Sequence, residues 1–247
     1  VGDQRFPFPG KPEGAVVMSG NPDVVLEAYY DLQCPFSAES YQTFSSIWNQ
    51  LAPRITFKIH LFPLPYHFSA YLINQGGRYV QATKPIQTFL TYLDWAFNAQ
   101  EEYYNPPTYQ MSTEEVVAKI SQAVETAVGI PASEMATALL DPEYDGIMRI
   151  SWKYACSRTV GGTPTFFFNG ILMDDTGNWT ANDWINFFSQ YTDLDPTAQG
   201  KKRQHRALDY TFDHIFDMQY LYFSQKKIIS VVSYHKLEKL FFAPEFV

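Results

Sequence analysis

Cys34 is the residue through which this sequence can do chemistry. It stands in the phrase Tyr30-Asp31-Leu32-Gln33-Cys34-Pro35-Phe36-Ser37, directly after the β-type run Val24–Asp31. Pro35 suits the first turn of a helix, where its missing N–H costs little. Cys34 is therefore expected at a helix start, where orphan backbone N–H groups and the helix dipole favour an anion by about 0.3 to 2 kcal/mol. A thiol there is predicted to be nucleophilic and partly exposed. The bland alternative is a buried, inert cysteine, since free Cys is among the most buried residue types.

A second phrase bears on the first. Gly162-Thr163-Pro164-Thr165-Phe166-Phe167-Phe168-Asn169-Gly170 places a proline turn directly before an apolar strand. Between the two lies Pro63-Leu64-Pro65-Tyr66-His67, a turn closing the alternating run Ile55–Phe62. His67 is a candidate to tune the thiol, with turn or helix capping as the ordinary alternative. Cys156 is the only other cysteine and a candidate to resolve or pair with Cys34; a helical cysteine without redox function is the alternative.

The elements that must position these residues follow from pattern. Ala15–Ser19 and Val24–Tyr30 read as strands separated by the turn Gly20-Asn21-Pro22-Asp23. The near-continuous apolar run of the second suits a central strand covered on both faces. Phe44, Ile47, Trp48 and Leu51 make one helical face ending before Pro53, and Ile55–Phe62 closes a βαβ unit with a parallel pair. From about residue 68 to 158 the pattern is helical, with a break at Pro106-Pro107. Ser112 and Glu115 form a capping box, and Gly129 and Pro131 stop that helix. Further helices are expected from near Ser133 and from Glu143 to Arg158. The strands Thr165–Phe168 and Ile171–Met173 and a helix from about Thr180 to Tyr191 complete the order.

Composition limits the function classes. The chain has 247 residues, 46% of them hydrophobic and 17% aromatic, which predicts a packed protein. The net charge is −8 and uneven: residues 201–247 carry 8 Lys/Arg against 5 Asp/Glu, leaving residues 1–200 at −11. So acidic a body is a poor nucleic-acid binder. No stretch reaches the roughly 18 to 20 apolar residues that a membrane span needs. The start at Val1 is compatible with a removed leader or a trimmed chain. Two cysteines exclude a disulfide-dense scaffold but not an oxidising compartment. Asn178-Trp179-Thr180 is a glycosylation sequon, a triplet also common by chance. No metal-ligand spacing, phosphate loop, dinucleotide fingerprint or Ser-His-Asp elbow is present.

Together, the Cys34 phrase, the Pro63–His67 turn and the Thr163-Pro164 phrase resemble the DsbA-like branch of the thioredoxin superfamily. A eukaryotic-type variant with a C-P-x-S motif is the most similar subgroup, over roughly residues 13–192. The resemblance implies an α/β, thioredoxin-like fold with a helical insertion, approximately 68–158, between the βαβ and ββα halves. It implies a domain over 1–200 and leaves 201–247 as a C-terminal extension of uncertain order. It implies Cys34 as nucleophile with Ser37 as its hydrogen-bond partner, and substrate contacts from Pro35, Phe36, Thr163 and a cis Pro164. Glu27 lies one residue off the spacing of the acid that DsbA-like proteins bury beneath their cysteine, so that role is not carried over.

Ser37 replaces the second cysteine of C-x-x-C, and this leaves three activities open. One is monothiol exchange resolved by glutathione or another external thiol. The others are glutathione-dependent transferase or isomerase chemistry, and peptide binding of a chaperone-like kind without turnover. The partners implied are protein or peptide thiols and disulfides, or glutathione as co-substrate, with no tightly bound cofactor. A secretory or extracellular location is favoured over the cytosol.

Overall fold

A computed structural model describes residues 14–192 of the chain. The extension 201–247 lies outside the described residues.

The first strand, β1 (Ala15–Met18), runs antiparallel to the third and is followed by the central strand β2 (Val25–Tyr30). Helix α1 (Pro35–Leu51) then crosses over to β3 (Thr56–Leu61), which pairs with β2 in parallel. This is the expected βαβ unit, and it fixes the two sheet faces. The register Leu26↔Phe57, Ala28↔Ile59, Tyr30↔Leu61 sets one apolar face. Against it α1 lays Tyr41, Phe44, Ile47 and Leu51. The alternate register pairs, Glu27↔Lys58 and Tyr29↔His60, occupy the opposite face.

The insertion consists of α2 (Ala70–Thr83), α3 (Ile86–Asn98), a 3₁₀ turn over Gln100–Tyr103, α4 (Asn105–Thr108), α5 (Thr113–Val128), α6 (Ala132–Leu140) and α7 (Pro142–Ser157). The Pro106-Pro107 break is itself a single helical turn, α4, because prolines at its opening positions remove only N–H groups that would have no intrahelical partner. The capping box on α5 is present: Glu115 N donates to Ser112 Oγ, and Ser112 N donates to Glu115 Oε2. Gly129 ends that helix at φ +79°, a conformation that suits glycine.

The chain returns through β4 (Thr165–Phe168), antiparallel to β2, then β5 (Ile171–Met173) and α8 (Ala181–Ser189). The sheet order is β1-β3-β2-β4-β5. Trp184 and Phe188 of α8 pack with Phe44 and Phe166 on the α1 side. The other face of β2 is covered by α7, through Ala155 and Arg158. These two layers meet at the C-terminal end of β2, where Cys34 sits.

Candidate active site around Cys34

Between β2 and α1 the chain turns over Asp31, and that carboxylate organises the turn. Asp31 is fully buried. Its Oδ1 accepts from Gln33 N at 2.9 Å and Asn74 Nδ2 at 3.0 Å; its Oδ2 accepts from Leu64 N at 3.0 Å and His67 Nδ1 at 2.7 Å. One side chain thus ties the loop before Cys34 to the Pro63–Pro65 turn and to α2. From the other side Gln100 Nε2 donates to the carbonyls of Leu32, at 2.9 Å, and Cys34, at 3.0 Å. The bonds to the Asp31 carboxylate are of the charge-assisted kind, worth more than neutral ones, and the neutral Gln100 bonds add to them in holding the loop around Cys34.

Cys34 is the N-cap of α1, with φ −85° and ψ 121°, and Pro35 occupies the first helical turn. Its thiol donates to Thr163 O across 3.2 Å, and the Thr163–Pro164 peptide bond is cis. The sequence reading of a partly exposed thiol is corrected: Cys34 is only 4% exposed. The cause is tertiary. Cys34 joins a small apolar cluster with Tyr29, Phe62, Leu64, Ala155, Val160 and Phe167, drawn from β2, the turn after β3, α7, the segment that follows it and β4.

Ser37 also differs from expectation. Its hydroxyl is buried and has no hydrogen-bond partner among the described residues, so it does not bond to the sulfur in this state. Thr163 Oγ1 is buried and unpartnered as well. Phe36, by contrast, is 59% exposed beside the site. The structure does not bring Cys156 into the site as a paired thiol: both cysteines are free, and Cys156 is on the exposed side of α7 while its neighbour Ala155 packs into the Cys34 cluster. His67 is directed at Asp31 and supports the loop under Cys34 through that carboxylate.

A charged group missed by sequence reasoning lies on the α7 face of the sheet. Glu27, 7% exposed in its side chain, accepts from Arg158 at 2.8 and 3.2 Å and from His60 Nε2 at 2.9 Å. Burial alone would raise its pKa; the bonds from His60 and Arg158, with their charge, overcome burial and hold it at about 2. His60 is pulled in two directions. Burial lowers its pKa and outweighs the upward pull of Glu27. Arg158 also donates to Tyr29 Oη at 2.8 Å and lies 3.8 Å from the centre of the Phe167 ring. It caps α7 just before Thr159–Gly162 leads into Thr163, so it anchors the approach to the proline turn. Among the described residues no cluster of three or more His, Cys, Asp or Glu could hold a metal ion, and no helix is long and apolar enough to cross a membrane.

Solved structures with this architecture include a candidate protein-disulfide isomerase from Pseudomonas syringae, at TM-score 0.58 and 17% identity, covering 69% of this chain and 96% of that one. The fold is DsbA-like. DsbA from Mycobacterium tuberculosis matches at TM-score 0.54 and 15% identity, over 72% of this chain and 91% of its own. MdbA, a thiol-disulfide oxidoreductase from Actinomyces oris, matches at 0.52 and 20%, over 68% and 81%. No protein-family model and no curated protein matches the sequence. The DsbA-like fold therefore rests on architecture, as the central sheet and its helical insertion define it.

Proposed function

We propose that Cys34 carries out thiol-disulfide exchange as a single thiol. The observation that carries this reading is the Cys34 sulfur at the head of α1, 3.2 Å from the carbonyl of the residue preceding Pro164. In the proposed step the thiol loses its proton to water and the thiolate attacks a protein or peptide disulfide. A Cys34–sulfur bond forms, the substrate disulfide breaks, and the departing sulfur leaves as a thiolate that takes up a proton. With Ser37 where a second thiol would stand, an external thiol of the glutathione class attacks the substrate sulfur of the mixed disulfide; a disulfide forms between those two sulfurs, the bond to Cys34 breaks, and Cys34 leaves as a thiolate. We assign to Ser37, whose buried Oγ has no hydrogen-bond partner among the described residues, the role of donating to the sulfur once it is ionised and has left Thr163. Pro35, Phe36, Thr163 and Pro164 form the surface that receives the substrate.

The setting we propose is the secretory pathway or outside the cell, where disulfides persist. Asn178 is exposed, as a glycosylated sequon there requires. The test is reduction of a protein disulfide with and without glutathione, by wild type and Cys34→Ser. Turnover that needs both glutathione and Cys34 supports the reading; equal turnover by Cys34→Ser rejects it.

The burial of Cys34 favours a second reading, a groove that binds peptides without turnover. Under that reading glutathione elicits no reduction, and peptide affinity survives Cys34→Ala.

A further inference from the structure

Two buried hydroxyls beside the Cys34 sulfur have no hydrogen-bond partner among the described residues. One is Ser37 Oγ, on a fully buried residue; the other is Thr163 Oγ1. Ser37 stands at the third position of α1, whose side chain neighbours that of the N-cap residue, Cys34. Thr163 is the residue whose carbonyl oxygen accepts from the thiol at 3.2 Å. The next threonine shows what is missing: Thr165 Oγ1 donates to Gly162 O at 2.8 Å. Burying a hydroxyl without a partner is unfavourable, so one that persists beside a reacting atom points to a ligand that completes it. A disulfide does not, because sulfur is a weak acceptor. Size leads the same way. Cys34 is 4% exposed, so a protein disulfide reaches it only by displacing the surrounding chain, whereas a pair of bonded oxygens needs far less room.

We propose that Cys34 also reduces small hydroperoxides, with the Thr163 hydroxyl donating to the departing oxygen. This further activity rests on the reading of Cys34 as a nucleophile relieved by an external thiol. The thiolate, held by Ser37, attacks the peroxide oxygen that carries hydrogen. A sulfur–oxygen bond forms, the oxygen–oxygen bond breaks, and the second oxygen leaves with the electron pair. It takes up a proton, as water from hydrogen peroxide or as an alcohol from an organic hydroperoxide. The sulfur is oxidised to a sulfenic acid and the peroxide is reduced. Thr163 thus serves both ends of the step: its hydroxyl donates to the leaving oxygen, and its carbonyl, now an acceptor for the thiol, accepts from the sulfenic hydroxyl. A thiol of the glutathione class then attacks the sulfenic sulfur, expelling hydroxide that is protonated to water and leaving a mixed disulfide. A second such thiol attacks the glutathione-type sulfur of that disulfide and releases Cys34 as a thiolate.

The test is the rate at which hydrogen peroxide oxidises Cys34 in the Cys156→Ser chain, with the sulfenic acid trapped by dimedone and counted by mass spectrometry. Native protein should react about tenfold faster than the same protein unfolded in urea, since burial alone would make it slower. Thr163→Val keeps the shape and removes the hydroxyl; it should slow oxidation about fivefold relative to alkylation by iodoacetamide, and Thr163→Ser should restore it. Glutathione should reverse the oxidation, and peroxide consumption should stop in Cys34→Ser. Adduct formation with oxidised glutathione, measured on the same protein, separates the two readings. An adduct without accelerated oxidation removes this proposal and leaves disulfide exchange standing; absence of both removes both. A native rate no higher than the unfolded one, or a rate that Thr163→Val does not lower, would overturn the proposal.

Discussion

Replacing Arg158 by Met removes the cation that neutralises Glu27 on the α7 face of the sheet. Both side chains are shielded, at 15% and 7% exposure, and the guanidinium spans both carboxylate oxygens. Breaking a buried pair by deleting one partner costs about 3–5 kcal/mol, because the remaining charge keeps its desolvation penalty. Met preserves much of the apolar stem over Phe167, so the loss reports chiefly on charge. Against a total stability of about 5–15 kcal/mol, this is a large fraction. With a urea m-value of about 2–3 kcal/mol/M, the midpoint should fall by about 1.5 M. Glu27→Gln in the same background should return part of the loss, giving a coupling of about 2 kcal/mol in a double-mutant cycle. A midpoint shift below about 0.5 M, or strict additivity in the cycle, would refute the view that this pair fastens α7 and the proline turn to β2.

Acid should unfold the protein through the same group. Glu27 is held at about 2 against an ordinary 4.5, so its contribution is complete above pH 4.5 and is lost as pH falls toward 2, by about 3 kcal/mol in all. His60, lowered from its ordinary 6.5, adds a loss that begins below pH 6.5, since the folded state resists its protonation. Urea titrations against pH should show both, and Glu27→Gln should flatten the limb below pH 4.5; an unchanged limb would contradict the assignment. Ser112→Ala removes one half of the α5 capping box and should cost about 1 kcal/mol by thermal or urea unfolding. Ser37→Ala deletes a buried hydroxyl that has no hydrogen-bond partner among the described residues, so stability should change by less than about 1 kcal/mol. A loss above about 2 kcal/mol would mean that Ser37 is bonded in the resting state.

The parts of this architecture visible in sequence are those that local patterns determine. The apolar run of β2, the capping box at Ser112 and the glycine at 129 each carry their structural reason within a few residues. The placement of Cys34 at the head of α1 follows from Pro35 in the same way. Its burial does not, because the residues covering the sulfur come from β4, α7 and the turn after β3. Asp31 was equally hidden: a single acid at the end of a strand reveals nothing of Leu64, His67 and Asn74, which arrive from 33 to 43 residues away. Its position three residues before the cysteine, closing an otherwise apolar run, was the available signal. Glu27 and Arg158 are separated by 131 residues, and only the sheet packing of α7 brings them together.

Exchange at Cys34 requires its sulfur to meet a disulfide although it is packed against Thr163. The most direct test is mass spectrometry of native Cys156→Ser protein treated with oxidised glutathione. One glutathionyl adduct at Cys34, released by added glutathione and absent in the Cys34→Ser variant, is the predicted result. Native protein that stays unmodified, yet forms the adduct once unfolded in urea, would contradict it.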